Sequence, residues 1–266
     1  MMRDSTVISI LLIFSFFISA DSAPPRLKVS DIITPKERGL LLSGGIISYA
    51  KMAGKGESFT GGIKASLPQG AGRIYDNPSE YSIAAVEKTF FKGDAALTDS
   101  IFTRLTDYPM LKGMQYYSIS ESKAVPLILE SRSSGNRSVK HENGGKYAVL
   151  NFIIKDNRLG TIPLSSKVWS GNGFISSASV CSGTVSRLGM KVFEPGDYRV
   201  YKFIVYDKTS GGWFYCSVQL MRVRSDILNR IDFLRPENIC NRLRGETVHM
   251  LGLIGINRKS ELAAFR

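Results

Sequence analysis

Alternation of apolar and polar positions dominates the second half of the chain. Tyr147 to Lys155, Thr161 to Trp169, Val180 to Phe193, Tyr198 to Asp207 and Trp213 to Val223 each read as strands. Turn residues separate them: Asp156 to Gly160, Ser170 to Gly173, Glu194-Pro195-Gly196-Asp197 and Lys208 to Gly212. In Pro195-Gly196 the proline fits the first and the glycine the second central position of a type II turn. The last three strands are expected to form an antiparallel meander. Their length exceeds the usual five or six residues, so the sheet is expected to curl over a partner layer.

The first half is more mixed. Thr34 caps a helical turn that opens at Pro35 and runs to Leu42. Ile46 to Met52 alternates as a strand, and the glycines from Gly54 to Gly72 make a loop-rich stretch in which Phe59 to Leu67 is a weak strand. Ser82 to Phe91 is read as strand because Thr89, Phe90 and Phe91 favour it. Asp94 caps an amphipathic helix whose stripe is Ala96, Leu97, Ile101, Phe102 and Leu105, with Asp99, Thr103 and Arg104 on the opposite, polar face. Met114 to Ile119 and Val125 to Glu130 follow as strands, and the polar run 131–146 is expected to be an exposed, mobile loop. Ser225 and Pro236 each open a helix, the second closing at Gly245. Val248 to Ile256 is read as a buried strand or close-packed loop, and 257–266 as a peripheral tail. The order of elements argues an α+β domain with a curled, mainly antiparallel sheet, packed on the Asp94 helix and carboxy-terminal helices.

The amino terminus changes the picture. Arg3 precedes an apolar run, Val7 to Ile18, too short to span a bilayer, and small residues follow to Ala23. Residues 1–22 therefore read as a secretory signal peptide cleaved after Ala20 or Ser22, leaving 23–266 as one domain. The 266 residues carry 35 Lys and Arg against 23 Asp and Glu, a net charge of +12 that rises to +13 once the leader is removed. Such a balance suits an anionic envelope surface, and Arg222, Arg224, Arg230, Arg235, Arg242 and Arg244 form a basic cluster on or beside the terminal helices, with several of them on a face opposite Ile227, Ile231 and Leu234 that is either an ordinary solvated surface or the one that meets such an envelope. No nucleic-acid reader module accompanies these residues, so no nucleic acid partner is expected.

Candidate chemistry is sparse. Two His and three Cys are too few for most structural zinc sites, whose four ligands come at short paired spacings absent here, and neither a metal nor another cofactor is expected. Cys181, Cys216 and Cys240 read as buried hydrophobes, with a Cys181–Cys216 bridge as the alternative. Gly54 to Ser58 lacks the glycine spacing of a phosphate loop and reads as solvated. His141 sits in the polar run, and His249 among Val248, Met250 and Leu251 reads as a packed histidine. Glu80 with Glu87, or Asp197 with Asp207, are the carboxylate pairs that acid–base work would need. No catalytic residue is assigned. The reading is a non-catalytic envelope or periplasmic binding module with an apolar cavity for a lipid or another hydrophobic small molecule. A hydrolase of envelope glycans or lipids, using His249 or carboxylates, and a structural or partner-binding module are the alternatives.

One stretch carries a family likeness. Leu111-Lys112-Gly113-Met114-Gln115-Tyr116-Tyr117-Ser118, after the amphipathic helix, resembles a KGIxYYS segment in an uncharacterised family of exported spirochaete proteins, and Asn229-Arg230 matches an Asn-Arg pair in a later helix of that family. Glu121 to Val125 departs from its pattern. The resemblance implies a bacterial envelope location and lends no catalytic residue. Within the strand, Tyr116 and Tyr117 are expected on opposite faces, one in the core and one toward solvent or a cleft.

Overall fold

Strand alternation sets the architecture. The computed structural model describes residues 27–52, 81–135, 137–142, 145–187, 189–223 and 235–262. The leader, the glycine-rich stretch from Gly54 with its weak strand, the Ser225 helix, Glu80, Arg224 and Arg230 lie outside the described residues. The strands are β1 (Ile47–Met52), β2 (Ile83–Lys92), β3 (Gln115–Ser118), β4 (Lys123–Pro126), β5 (Ile128–Ser133), β6 (Ser138–Glu142), β7 (Gly145–Asp156), β8 (Gly160–Gly171), β9 (Phe174–Cys181), β10 (Val185–Arg187), β11 (Met190–Phe193), β12 (Tyr198–Asp207) and β13 (Gly212–Met221). The helices are α1 (Val29–Ile32), α2 (Pro35–Leu42), α3 (Leu97–Leu105) and α4 (Pro236–Leu253).

Nine strands make one sheet in the order β1-β2-β13-β12-β9-β8-β7-β5, with β6 pairing β7 beside β5. Every pairing in it is antiparallel. Both faces are covered. Ala84, Val86, Phe90, Phe214, Cys216 and Val218 point to the side closed by Leu27, Ile32, Ile33 and Leu41 from the α1–α2 segment. Ile83, Ala85, Phe91, Trp213 and Tyr215 point to the opposite side, which α3, α4 and the β3–β4 hairpin cover. This is the α+β arrangement that the sequence implies.

The local signals mostly land where the sequence places them. Thr34 caps α2, accepting from Glu37 N, while Glu37 reaches back to Thr34 N. Gly196 takes φ +86° in the turn before β12, as the second central position of a type II turn requires. Asp94 is not the N-cap of α3: the helix begins at Leu97 with Ala96 in the cap position, and the Asp94 carboxylate accepts from Ala96 N one turn earlier. Tyr116 is buried and Tyr117 half-exposed on β3.

Four readings are corrected. Val180 to Phe193 is not one strand: β9 ends at Cys181, and β10 and β11 form a separate two-stranded ribbon. The meander is therefore β9, β12 and β13, with the ribbon inserted between its first two strands. The polar run 131–146 is no loop, since β5 and β6 both pair with β7 within it. Its polarity is that of an edge hairpin exposed to water. The helix opening at Pro236 does not close at Gly245 but continues to Leu253, so Val248 to Leu253 is helix rather than strand. The tail after it is not peripheral at Arg258, which donates to Thr89 Oγ1 and the Phe90 carbonyl on β2.

Gly245 explains why α4 passes through that position. A Cβ there would lie 2.2 Å from the Gln115 carbonyl oxygen and 2.9 Å from Tyr116 Cβ, so only glycine lets β3 lie directly on the helix. Gly252, two turns further along the helix, has open space around its Cβ position. Gly245→Ala is expected to lower the urea unfolding midpoint, because backbone must shift to admit the methyl. Gly252→Ala should leave it unchanged or raise it, by up to about 1 kcal/mol of helix propensity. Equal effects of the two substitutions would contradict the close β3–α4 contact.

Candidate functional site

The α4-facing side of the sheet carries an unusual run of polar residues. Ser177 on β9, Lys202 on β12, Ser217 on β13, Glu87 on β2 and Ser48 on β1 are successive cross-strand partners, forming one row across five strands. Ser166 and Ser179 begin the adjacent row, their hydroxyls 2.8 Å apart, and Gln219 continues it. Period-two alternation puts all of these on one face. Helix α4 supplies the complement: eleven of its residues are buried, polar and charged ones among them, because the sheet lies on one side and the β3–β4 hairpin on the other.

Three ion pairs dock the helix. Arg244 donates from Nε to Glu87 Oε2 at 2.9 Å and from its terminal nitrogen to Ser48 Oγ at 2.7 Å, while Ser48 Oγ donates to the same carboxylate oxygen at 2.6 Å. Arg242 pairs with Asp156 at the end of β7, reaches Asn157, and lies over the Tyr116 ring at 5.1 Å. Lys202 pairs with Glu246 at 2.5 Å, and Gln219 donates to the other oxygen of Glu246 at 3.0 Å.

Burial tunes the groups in this layer. It raises the Glu87 carboxyl above the usual range, against the pull of Arg244 and the Ser48 hydroxyl. It also raises the phenols of Tyr108, Tyr198 and Tyr215. Tyr116 goes the other way: burial opposes ionisation, but the Arg158 and Arg242 guanidiniums outweigh it and lower the phenol. Cys216 and Cys240 are pushed up to about 12 by burial. All three cysteines are free and buried, the packed-hydrophobe reading rather than a Cys181–Cys216 bridge. At such values the two thiols are not nucleophiles near neutral pH.

Between the polar rows and α3 lies a cavity of about 90 Å³. Its apolar wall is Leu105, Tyr108, Met114, Leu127, Phe152 and Ile154, with Tyr108 stacked on Phe152. Polar groups line the rest, Ser166, Ser177, Ser179, Gln219 and the Lys202–Glu246 pair, with Leu164, Tyr198 and Val200 among them. The half-exposed Arg104, His249 and Leu253 mark its mouth, between α3 and α4. A larger open groove at the other end of the sheet ends at Leu27 and Gly145, which adjoin residues outside the described set.

The residues singled out from the sequence are scattered. His249 lines the cavity but donates Nε2–H to the Met110 carbonyl at 2.6 Å, tying α4 to the turn that follows α3. His141 is exposed on β6. Glu87 is held by Arg244, and Asp197 and Asp207 stand at opposite ends of β12, roughly 30 Å apart at about 3.3 Å per residue, too far to act as a pair. The arginines do not share a face: Arg222 reaches Asp197 and lies over Tyr81, while Arg242 and Arg244 point inward to carboxylates. Among the described residues no group of His, Cys, Asp and Glu is placed to hold a metal, and no helix is long and apolar enough to cross a membrane. Sequence reasoning missed Arg104, Lys202, Gln219, Glu246 and the serine rows. Their only signal was polarity at strand positions due to face inward, visible once the register is known.

Glu87 is fully buried and Arg244 nearly so, which makes the pair expensive to split. Glu87→Gln or Arg244→Met alone is expected to cost about 3–5 kcal/mol, by stranding the partner's charge. The double variant should lose clearly less than the sum of the two. Urea denaturation of the four species checks this, and additive losses would contradict direct coupling.

No protein-family model matches the chain, and no curated protein matches it. Among solved structures it is similar to the 2.9 Å structure of the cleaved viral serpin CrmA, at 10% identity over 66% of this chain and 80% of that one, with a TM-score of 0.20. A likeness at that score carries no argument about fold or activity.

Proposed function

We propose that this protein is an exported, cell-envelope binding module that holds a small hydrophobic molecule in the cavity under α4, without catalysing a reaction on it. The observation that carries the reading is the cavity's composition, with a mainly apolar lining, a few polar groups from the sheet and α4, and a mouth between two helices. That is the usual make-up of a ligand site: apolar lining supplies affinity and a few placed polar groups supply orientation. Export is supported by the leader-like sequence Arg3 to Ala23 and by the resemblance around Lys112 to Ser118 to exported spirochaete proteins. The volume narrows the notion of a lipid ligand. At about 90 Å³ the space suits roughly three water-sized groups of about 30 Å³ each, not a whole acyl chain.

The hydrolase alternative gains no support, because the groups it would use are engaged elsewhere: His249 with the Met110 carbonyl and Glu87 with Arg244. A surface that adheres to anionic headgroups through the arginine cluster loses two of its six members to internal ion pairs.

Native mass spectrometry of the protein purified from its own envelope tests both parts of the proposal. The expected species begins at Asp21 or Ala23 and carries a small adduct, which Ser177→Leu removes by filling the cavity while leaving the fold intact by circular dichroism. A chain that retains its leader would contradict export. The bare polypeptide mass, together with no thermal shift from short-chain alcohols, would contradict the ligand site.

A further inference from the structure

The charges around the cavity do not balance. Its walls carry three permanent cations, Arg104, Lys202 and Arg242, against two carboxylates, Asp156 and Glu246. Both carboxylates are taken: Asp156 by Arg242, and Glu246 by Lys202 and Gln219. The cation left over is Arg104, near the end of α3. Its one hydrogen bond among the described residues runs from a terminal nitrogen to Met110 Sδ at 3.2 Å. A thioether is a weak acceptor, so most of the donors of this half-exposed guanidinium remain available at the mouth. The apolar wall starts directly beside it, with Leu105 next in the chain and Tyr108 one turn further on.

We propose that the ligand is a short-chain monocarboxylate, its carboxylate on Arg104 and its hydrocarbon tail among Leu105, Tyr108, Met114 and Phe152. This rests on the cavity being a ligand site and specifies the chemistry of what it takes. A guanidinium binds a carboxylate through paired N–H donors, a fit that neither an alcohol nor an amine reproduces. A singly charged anion brings the wall to neutrality, whereas an amine would add to an unmatched positive charge, and a dicarboxylate would bring a second charge with no partner. The volume limits the tail to about three or four carbons, which points to acids of the size of butanoate and pentanoate. Arg104 in this arrangement sets specificity. It touches the ligand and takes no part in any bond-making step.

The test is isothermal titration of the purified protein with a series of straight-chain carboxylates from acetate to decanoate, and with the alcohols of matching length, at low and physiological salt. It is repeated on Arg104→Gln, a substitution at a half-exposed residue that removes no ion pair. The expected result is carboxylate binding that peaks at about four or five carbons. It should exceed that of the matching alcohol about tenfold or more, as for a hydrogen bond to a charged group. Salt should weaken it, and Arg104→Gln should bring it down to the level of the alcohol, with alcohol binding unchanged in that variant. Alcohols binding as well as carboxylates, or carboxylate binding that survives Arg104→Gln, would overturn the assignment to Arg104 while leaving the cavity as an apolar site. No binding by either series would overturn the ligand site itself.

Discussion

A helix that turns one buried and one nearly buried arginine inward must meet carboxylates at the right depth, and the packing of this protein follows from that requirement. Helix α4 is covered by the sheet on one side and by the β3–β4 hairpin on the other, so it has no solvated face on which Arg242 and Arg244 could lie. Desolvating a guanidinium costs several kcal/mol unless an anion and further hydrogen bonds accompany it. Glu87 and Ser48 provide these for Arg244, and Asp156 and Asn157 for Arg242. The two carboxylates lie on different strands, β2 and β7, on opposite sides of the sheet's centre. Together they fix the helix in both rotation and translation, which apolar contacts alone, being non-directional, would specify less sharply.

The same arrangement accounts for the cavity. With α4 held through its charges, the space between it and α3 is not closed by interdigitating hydrocarbon. Lys202 and Glu246 join β12 to α4 at its edge, and the serines of β8 and β9 are too short to fill it. Close packing is the rule in protein interiors, so a mixed polar and apolar void at a helix junction is a departure that a ligand would remove. The other face of the sheet shows the contrast. There Lys88 and Glu37 form a similar pair, with Lys88 Nζ 2.8 and 3.0 Å from the two carboxylate oxygens, and Leu41, Phe90, Phe214 and Val218 belong to the apolar cluster of that face.

Much of the fold was legible because strands obey period two regardless of what they pack against. The α2 cap at Thr34, the turn at Pro195-Gly196, β1, β2, β7, β8, β12 and β13 all follow from that and from turn chemistry. The failures share a cause. Assigning Arg242 and Arg244 to a solvated surface assumed a helix with one apolar stripe, a rule for helices with one dry side. Helix α4 has two, so its pattern is blurred, and Gly245 looked like a stop when it is a contact point. The polar run 131–146 looked unstructured because edge strands with two wet faces lose alternation. The site was illegible for a different reason. Ser166, Ser177, Lys202, Gln219 and Glu246 come from four strands and a helix, and only the register brings them together.

The central claim is that α4 is an internal element locked by its ion pairs, not a surface helix resting on the sheet. Native-state amide hydrogen exchange read residue by residue tests it most directly. Internal locking predicts that amides from Ile239 to Leu251 exchange only through global unfolding, with the same free energy and denaturant dependence as the β2 and β13 amides around Glu87 and Ser217. Exchange of α4 through a separate, lower-energy opening that leaves β2 and β13 protected would contradict it.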